Sequence, residues 1–229
     1  MALGSLPPMP LRLRPSAPIA ADAVLVGDPG RALMLAQVLL EQPKMSNHAR
    51  GLWGYSGRTP AGAELTIQAT GMGGPSAALV LADLAELGVR RAIRVGTCTA
   101  LDPNLKPGDL LAITEAHAWS GPAGQAGEQF HPDPDLAARL LLELGPAARE
   151  ATVASLDVPH AGGAPAPVEA GDAADMQTAA LLARGRGLGI AVAAVLIVSE
   201  TVGGGDLDDE AAELAAKAAG NAASRVLSA

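Results

Sequence analysis

Aromatic side chains are almost missing from this chain: two tryptophans, one tyrosine and one phenylalanine make up 2% of 229 residues. The core must therefore be filled by alanine, leucine and valine, and few rings are left to stack on a base or a sugar. Cysteine is rarer still. Cys98 stands alone, which excludes an internal disulfide and argues against a cysteine-based metal site. No segment reaches the unbroken run of about 18 apolar residues that a membrane-spanning helix needs. Residues 1–10 carry neither a basic stretch nor an apolar core of the secretory kind. A cytoplasmic protein without a membrane partner is expected. Positive charge is also short, with 16 Lys and Arg against 24 Asp and Glu. A net charge of −8 argues against a nucleic acid partner, so any bound phosphate must be recognised locally, against the global field.

Hydrophobic residues make up 49% of the chain, enough for one full α/β core. Apolar runs of strand length alternate with longer helical periods, the pattern of a largely parallel sheet covered by helices. Strands are expected at Ala23 to Val26, Leu65 to Thr70, Ala92 to Gly96, Asp109 to Thr114, Ala151 to Ala154 and Ile190 to Val198. Helices are expected from Gly30 to Leu40, capped by Asp28 with Pro29 at the first position, and from Pro75 to Leu87. Further helices follow at Asp133 to Leu144, Asp175 to Arg184 and Asp208 to Leu227. Ala118 to Gln129 and Pro159 to Gly171, rich in Gly, Pro and Ala, read as loops. The fold class is α/β, a single domain with a central mixed sheet flanked by helices on both faces.

Three glycine-rich stretches each hold an arginine: G-D-P-G-R at 27–31, R-G-L-W-G-Y-S-G at 50–57 and R-V-G-T at 94–97. A guanidinium fork beside bare peptide N–H groups is suited to a phosphate-sized anion. Gly27 to Arg31 sit at the amino end of a helix, where unpaired donors and partial positive charge favour an anion. Arg94 is expected to end its strand at the carboxyl edge, where open α/β sheets place their ligands.

The order and spacing of G-D-P-G-R, H-A-R-G-L-W-G-Y-S-G, T-G-M-G-G-P-S-A-A and R-V-G-T together resemble the nucleoside phosphorylase family of the hexameric purine nucleoside and uridine phosphorylase type. The matching text runs nearly continuously from Val24 to about Ile113 and thins out afterwards. The resemblance implies an N-terminal extension over residues 1–20 and a phosphorylase-like domain over 21–229. It implies phosphate held by Gly27, Arg31, Arg94 and Thr97, with Arg50 reaching the phosphate of a neighbouring subunit. The minimal unit is then a dimer, which in this family commonly assembles into a hexamer. Inorganic phosphate is the co-substrate, and neither a metal nor an organic cofactor is implied.

The nucleoside half departs from the family pattern. Relatives carry E-M-E at the ribose; here the text is Asp175-Met176-Gln177, which retains Met176 and leaves Gln177 an amide able to bond a hydroxyl but no charge. Relatives specific for purines carry Ser-Asp after the last central strand, and Ser199-Glu200 stands there, making Glu200 the candidate general acid and Arg94 its catalytic companion at phosphate. Cys98 and Thr99 replace a glycine-containing turn beside the base, and His160 is the ring nearest to the family's stacking aromatic. Arg12 stands where relatives place a histidine toward the neighbour's ribose. The arginine and Gln/Arg pair of uridine-type relatives are missing, so the resemblance leans toward a purine nucleoside. Two other readings stand beside phosphorolysis: a diverged homologue that binds phosphate or a phosphorylated sugar without turnover, and a nucleosidase.

Overall fold

The computed structural model describes residues 12–120, 125–157, 171–202 and 204–229. In chain order its elements are β1 (Asp22–Val26), α1 (Pro29–Leu39), β2 (Glu41–Asn47), β3 (Gly54–Arg58), β4 (Glu64–Ala69), α2 (Gly73–Glu86), β5 (Arg91–Ala100) and β6 (Leu110–Ser120). There follow β7 (Gln125–Phe130), α3 (Pro134–Leu144), β8 (Arg149–Leu156), β9 (Ala173–Asp175), α4 (Thr178–Leu188), β10 (Ala191–Thr201) and α5 (Asp209–Ser228). Residue 160 and most of the stretch expected as a loop over 159–171 lie outside the described residues.

Strict alternation along the central strands explains why the sheet is covered twice. In β1, Ala23 and Leu25 enter one layer while Val24 and Val26 enter the other. In β10, Val192, Ala194, Leu196 and Val198 share the first layer with α2 and α4, and Ala193, Val195 and Ile197 share the second with α1, α3 and α5. Small residues set the spacing. A Cβ on Gly220 of α5 would lie 2.6 Å from Leu35 Cδ2 of α1, so its absence lets the two helices close on each other.

The strands run β10-β6-β8-β9-β5-β1-β4-β3-β2, with β7 beside β6. Because β10 also pairs with β5, the five strands β5, β10, β6, β8 and β9 close into a ring. Pairing is parallel at β1–β4, β1–β5, β5–β10, β6–β8 and β8–β9, and antiparallel elsewhere, which makes the sheet mixed as expected. Among the described residues no helix is long and apolar enough to cross a membrane.

Several expected boundaries move. Ala118 to Gln129 is not one loop, because β6 continues to Ser120 and β7 begins at Gln125, pairing antiparallel with it. The β5 strand runs past Gly96 to Ala100, since β10 beside it and β9 at Thr99 and Ala100 supply ladder partners. Helix α4 begins at Thr178, and Asp175 ends β9 instead of opening that helix. The antiparallel strands β2 and β3 were not expected at all.

Residues 12 and 13 are tied to the fold by one buried carboxylate. Asp83, within α2, accepts from the Arg12 and Leu13 backbone N–H groups and from Arg12 Nη1 at 2.7 Å. Removing one member of such a buried pair strands the other's charge. Asp83→Ala is therefore expected to lower unfolding free energy by about 3–5 kcal/mol in urea denaturation, with Arg12 released from α2.

Candidate functional site

One cavity of about 480 Å³ opens where the carboxyl ends of β1, β4, β8 and β10 meet the far half of β5. Open α/β sheets bind ligands at this edge because chain reversals leave backbone groups unpaired there. Ten of the residues singled out from the sequence line it together: Gly27, Arg31, Arg94, Thr97, Cys98, Thr99, Met176, Gln177, Ser199 and Glu200.

The Arg31 side is built by α1. Asp28 caps this helix, its Oδ1 accepting from Arg31 N at 2.8 Å, and Pro29 occupies the first turn. The cap fixes where the chain turns from β1, and Arg31 is carried into the cavity wall. Among the described residues its guanidinium makes no hydrogen bond or salt bridge. Burial holds it below the usual arginine range, Asp28 pulls it back up, and the nearby Arg94 lowers it again. A cation in this state gains from an anion brought beside it.

Arg94 differs. It lies inside β5, is 4% exposed, and is held on three sides: Nε donates to Thr178 Oγ1 at 3.1 Å, Nη1 to Gln177 Oε1 at 2.6 Å and Nη2 to Asp175 Oδ2 at 2.9 Å. Two of its five guanidinium N–H groups are left without a hydrogen bond among the described residues, and Arg94 lines the cavity. Asp175 is itself saturated, accepting from Ser155 Oγ at 2.5 Å and from the N–H and hydroxyl of Thr178. Ser155 Oγ also accepts from Ala179 N, so the turn into α4 is fixed from β8. This junction escaped the sequence reading as a structural unit. Asp175 accepts from Thr178 N, yet the residue before α4 is Gln177, whose side chain makes no capping bond, so no cap signal in the sequence marks the start of this helix.

Gln177, expected at the sugar, is 3% exposed. Its Oε1 accepts from Arg94 Nη1 and from Thr70 Oγ1 at 3.1 Å, while Nε2 donates to Gly71 O at 2.6 Å and, at 3.4 Å, to Gly73 O. Gly71 and Gly73 have φ of +74° and +80°, a conformation that lets the turn present both carbonyls to the amide. Met176, next to it, faces the cavity with its side chain half-buried.

At the opposite end, Thr99 Oγ1 donates to Glu200 Oε1, and Ser199 Oγ donates to Cys98 O at 3.1 Å. Cys98 Sγ points to Ile197 O, and burial pushes the thiol strongly up, with Asp175 and Glu200 adding to the rise and Arg94 opposing it. Sequence reasoning did not single out Met72, Leu101, Leu156 or Val202, which form much of the apolar lining. Isolated apolar residues after strands carry no distinctive signal.

Two predicted residues are elsewhere in the chain. Arg12 is engaged by Asp83. Arg50 is exposed in the turn Ala49–Gly51, with φ +59°, and does not line this cavity. Among the described residues no group of three or more His, Cys, Asp or Glu is placed to share a metal ion.

A family model described as the Phosphorylase superfamily matches residues 22–229. The chain is 40% identical over 94 residues to a DeoD-type purine nucleoside phosphorylase of Oceanobacillus iheyensis, which is 41% of this chain and 40% of the relative. A second such protein, from Caldanaerobacter subterraneus, is 39% identical over 99 residues, 43% of this chain and 42% of the relative. The chain thus aligns with about two-fifths of the length of these curated relatives. In structure it is similar to purine nucleoside phosphorylase from Toxoplasma gondii, solved in complex with immucillin-H, with a TM-score of 0.85, 21% identity and 98% of both chains covered. A uridine phosphorylase of Phytophthora capsici gives 0.82 and 21%, covering 96% of this chain and 93% of that one.

Two outcomes follow from the geometry. A methyl on Gly96 would stand 2.5 Å from Arg94 Cζ and Nη2, so Gly96→Ala is expected to dislodge the guanidinium, costing about 1–3 kcal/mol of stability and weakening anion binding measured by calorimetry. Thiolate is the reactive form of cysteine, so Cys98 should resist iodoacetamide at pH 8 in the folded protein and be fully modified in denaturant, as read by mass spectrometry.

Proposed function

The chain belongs to the phosphorylase superfamily, and on that premise we propose that it splits the N-glycosidic bond of a purine nucleoside with inorganic phosphate, giving free base and pentose 1-phosphate. The observation that carries the reading is Arg31: a guanidinium without a hydrogen-bonded partner among the described residues, beside Arg94 in a pocket large enough for a nucleoside. In this reading Arg31, the two open N–H groups of Arg94, the Gly27 turn and Thr97 hold phosphate beneath the anomeric carbon. A phosphate oxygen forms the new bond as the C–N bond breaks. Negative charge held there stabilises the oxocarbenium-like sugar and supplies the nucleophile in one place.

Glu200, in its acid form, gives its proton to the departing base, with Thr99 orienting the carboxyl group. Cys98, Thr99 and Ser199 border the base, and Met176 the sugar. His160, also assigned to the base, lies outside the described residues. Arg50, exposed and away from its own cavity, is assigned to the phosphate of an adjoining copy, which makes a dimer the working unit and a hexamer its larger form. Its left-handed backbone, unusual for a residue with a side chain, fits a side chain held for a task. Arg12 is assigned to the neighbour's ribose through the N–H groups that Asp83 leaves open. The reading assigns the protein to the cytoplasm and requires phosphate but no further cofactor.

Base release from purine nucleosides is expected to depend on added phosphate, followed by chromatography. Release without phosphate would establish a nucleosidase instead, and tight binding without turnover a binding protein. Arg31→Gln should raise the KM for phosphate at least about tenfold with little change in Tm, because the guanidinium makes no hydrogen bond or salt bridge among the described residues.

A further inference from the structure

Resting on the phosphorolysis reading, the geometry points to a sharper substrate class: we propose that the site prefers 2′-deoxynucleosides over their ribonucleoside counterparts. Arg31 follows β1 and Glu200 ends β10, the two strands flanking β5. Both residues line the one cavity, so a ligand held at Arg31 and reaching toward Glu200 crosses the carboxyl end of β5. A sugar bridging them passes the β9–α4 junction and the Gly71–Gly73 turn.

Every polar side chain at that junction is already occupied. Gln177 uses both lone pairs of its amide oxygen on Arg94 and Thr70, and its amide N–H groups on Gly71 and Gly73. Asp175 accepts from Arg94, Ser155 and Thr178. Of the chain's own side chains, those left to face the sugar are apolar: the Met176 methyl, which lies 4.0 Å from the position a Cβ on Gly73 would take, together with Met72 and Leu156; the neighbour's Arg12 brings only donors. Among the described residues no side-chain acceptor at that junction remains to receive a hydroxyl donor. A hydroxyl stripped of water and given no acceptor is penalised, and an apolar wall rejects one added hydroxyl by about 10- to 100-fold.

The test compares kcat/KM for 2′-deoxyinosine against inosine, and 2′-deoxyadenosine against adenosine, at saturating phosphate with the purified full chain. The expected result is a deoxy preference of about tenfold or more in both pairs; a ratio near one, or reversed, overturns the proposal. In Gln177→Glu the side chain lacks the N–H groups that hold it to Gly71, which frees a carboxylate oxygen for the sugar. That variant is expected to bring the ratio toward one, and an unchanged ratio in folded protein overturns the part given to Gln177. Absence of turnover with all four compounds sinks the phosphorolysis reading alone. Calorimetry of the same pairs with phosphate present then decides the preference: tighter binding of the deoxy member by about tenfold upholds it, while equal affinities or no binding overturn it.

Discussion

A single buried arginine organises this molecule's ligand face. Placing the Arg94 guanidinium inside the sheet is costly unless its charge and N–H groups are met, and Asp175, Gln177 and Thr178 meet them. These partners come from a short strand, the following turn and a helix start, and the guanidinium ties all three together. The same network reaches Ser155 on β8 and, through Gln177, Thr70 and the Gly71–Gly73 turn before α2. Charge pairing thus does for the pocket wall what leucine and valine do for the core.

The pairing also divides labour between the two arginines. Arg94 is already balanced by Asp175, and three hydrogen bonds hold its guanidinium in one orientation. Arg31, on the first turn of α1 and partly offset by Asp28, retains charge that an incoming anion can satisfy. In a chain of net charge −8, a helix terminus and a desolvated guanidinium coincide here, which favours an anion locally against the overall field.

What could be read from the sequence was what is local. The β1–α1 unit was legible because Asp-Pro after an apolar run sets cap and first turn within four residues, and ten expected site residues do share one cavity. Strands β2 and β3 were not legible: Glu41 to Lys44 are exposed and include a proline, so neither burial nor alternation marks the edge. The end of β5 was misplaced because the apolar run stops at Gly96 while pairing with distant β10 continues. The amide of Gln177 was expected to meet a sugar; its partners lie more than 80 residues away in sequence, beyond any pattern of spacing.

The ring of β5, β10, β6, β8 and β9 bears on traffic through the pocket. Strands hydrogen-bonded in a closed circuit share no seam along which one half could swing from the other, so the part of the wall built on β5, β8, β9 and β10 is held as one piece. The lining side chains Met72, 83% exposed, and Val202, 50% exposed, are free of that frame. Rotation of such side chains takes picoseconds to nanoseconds, far faster than the movement of a domain, so the mouth of the pocket can change shape without the sheet moving.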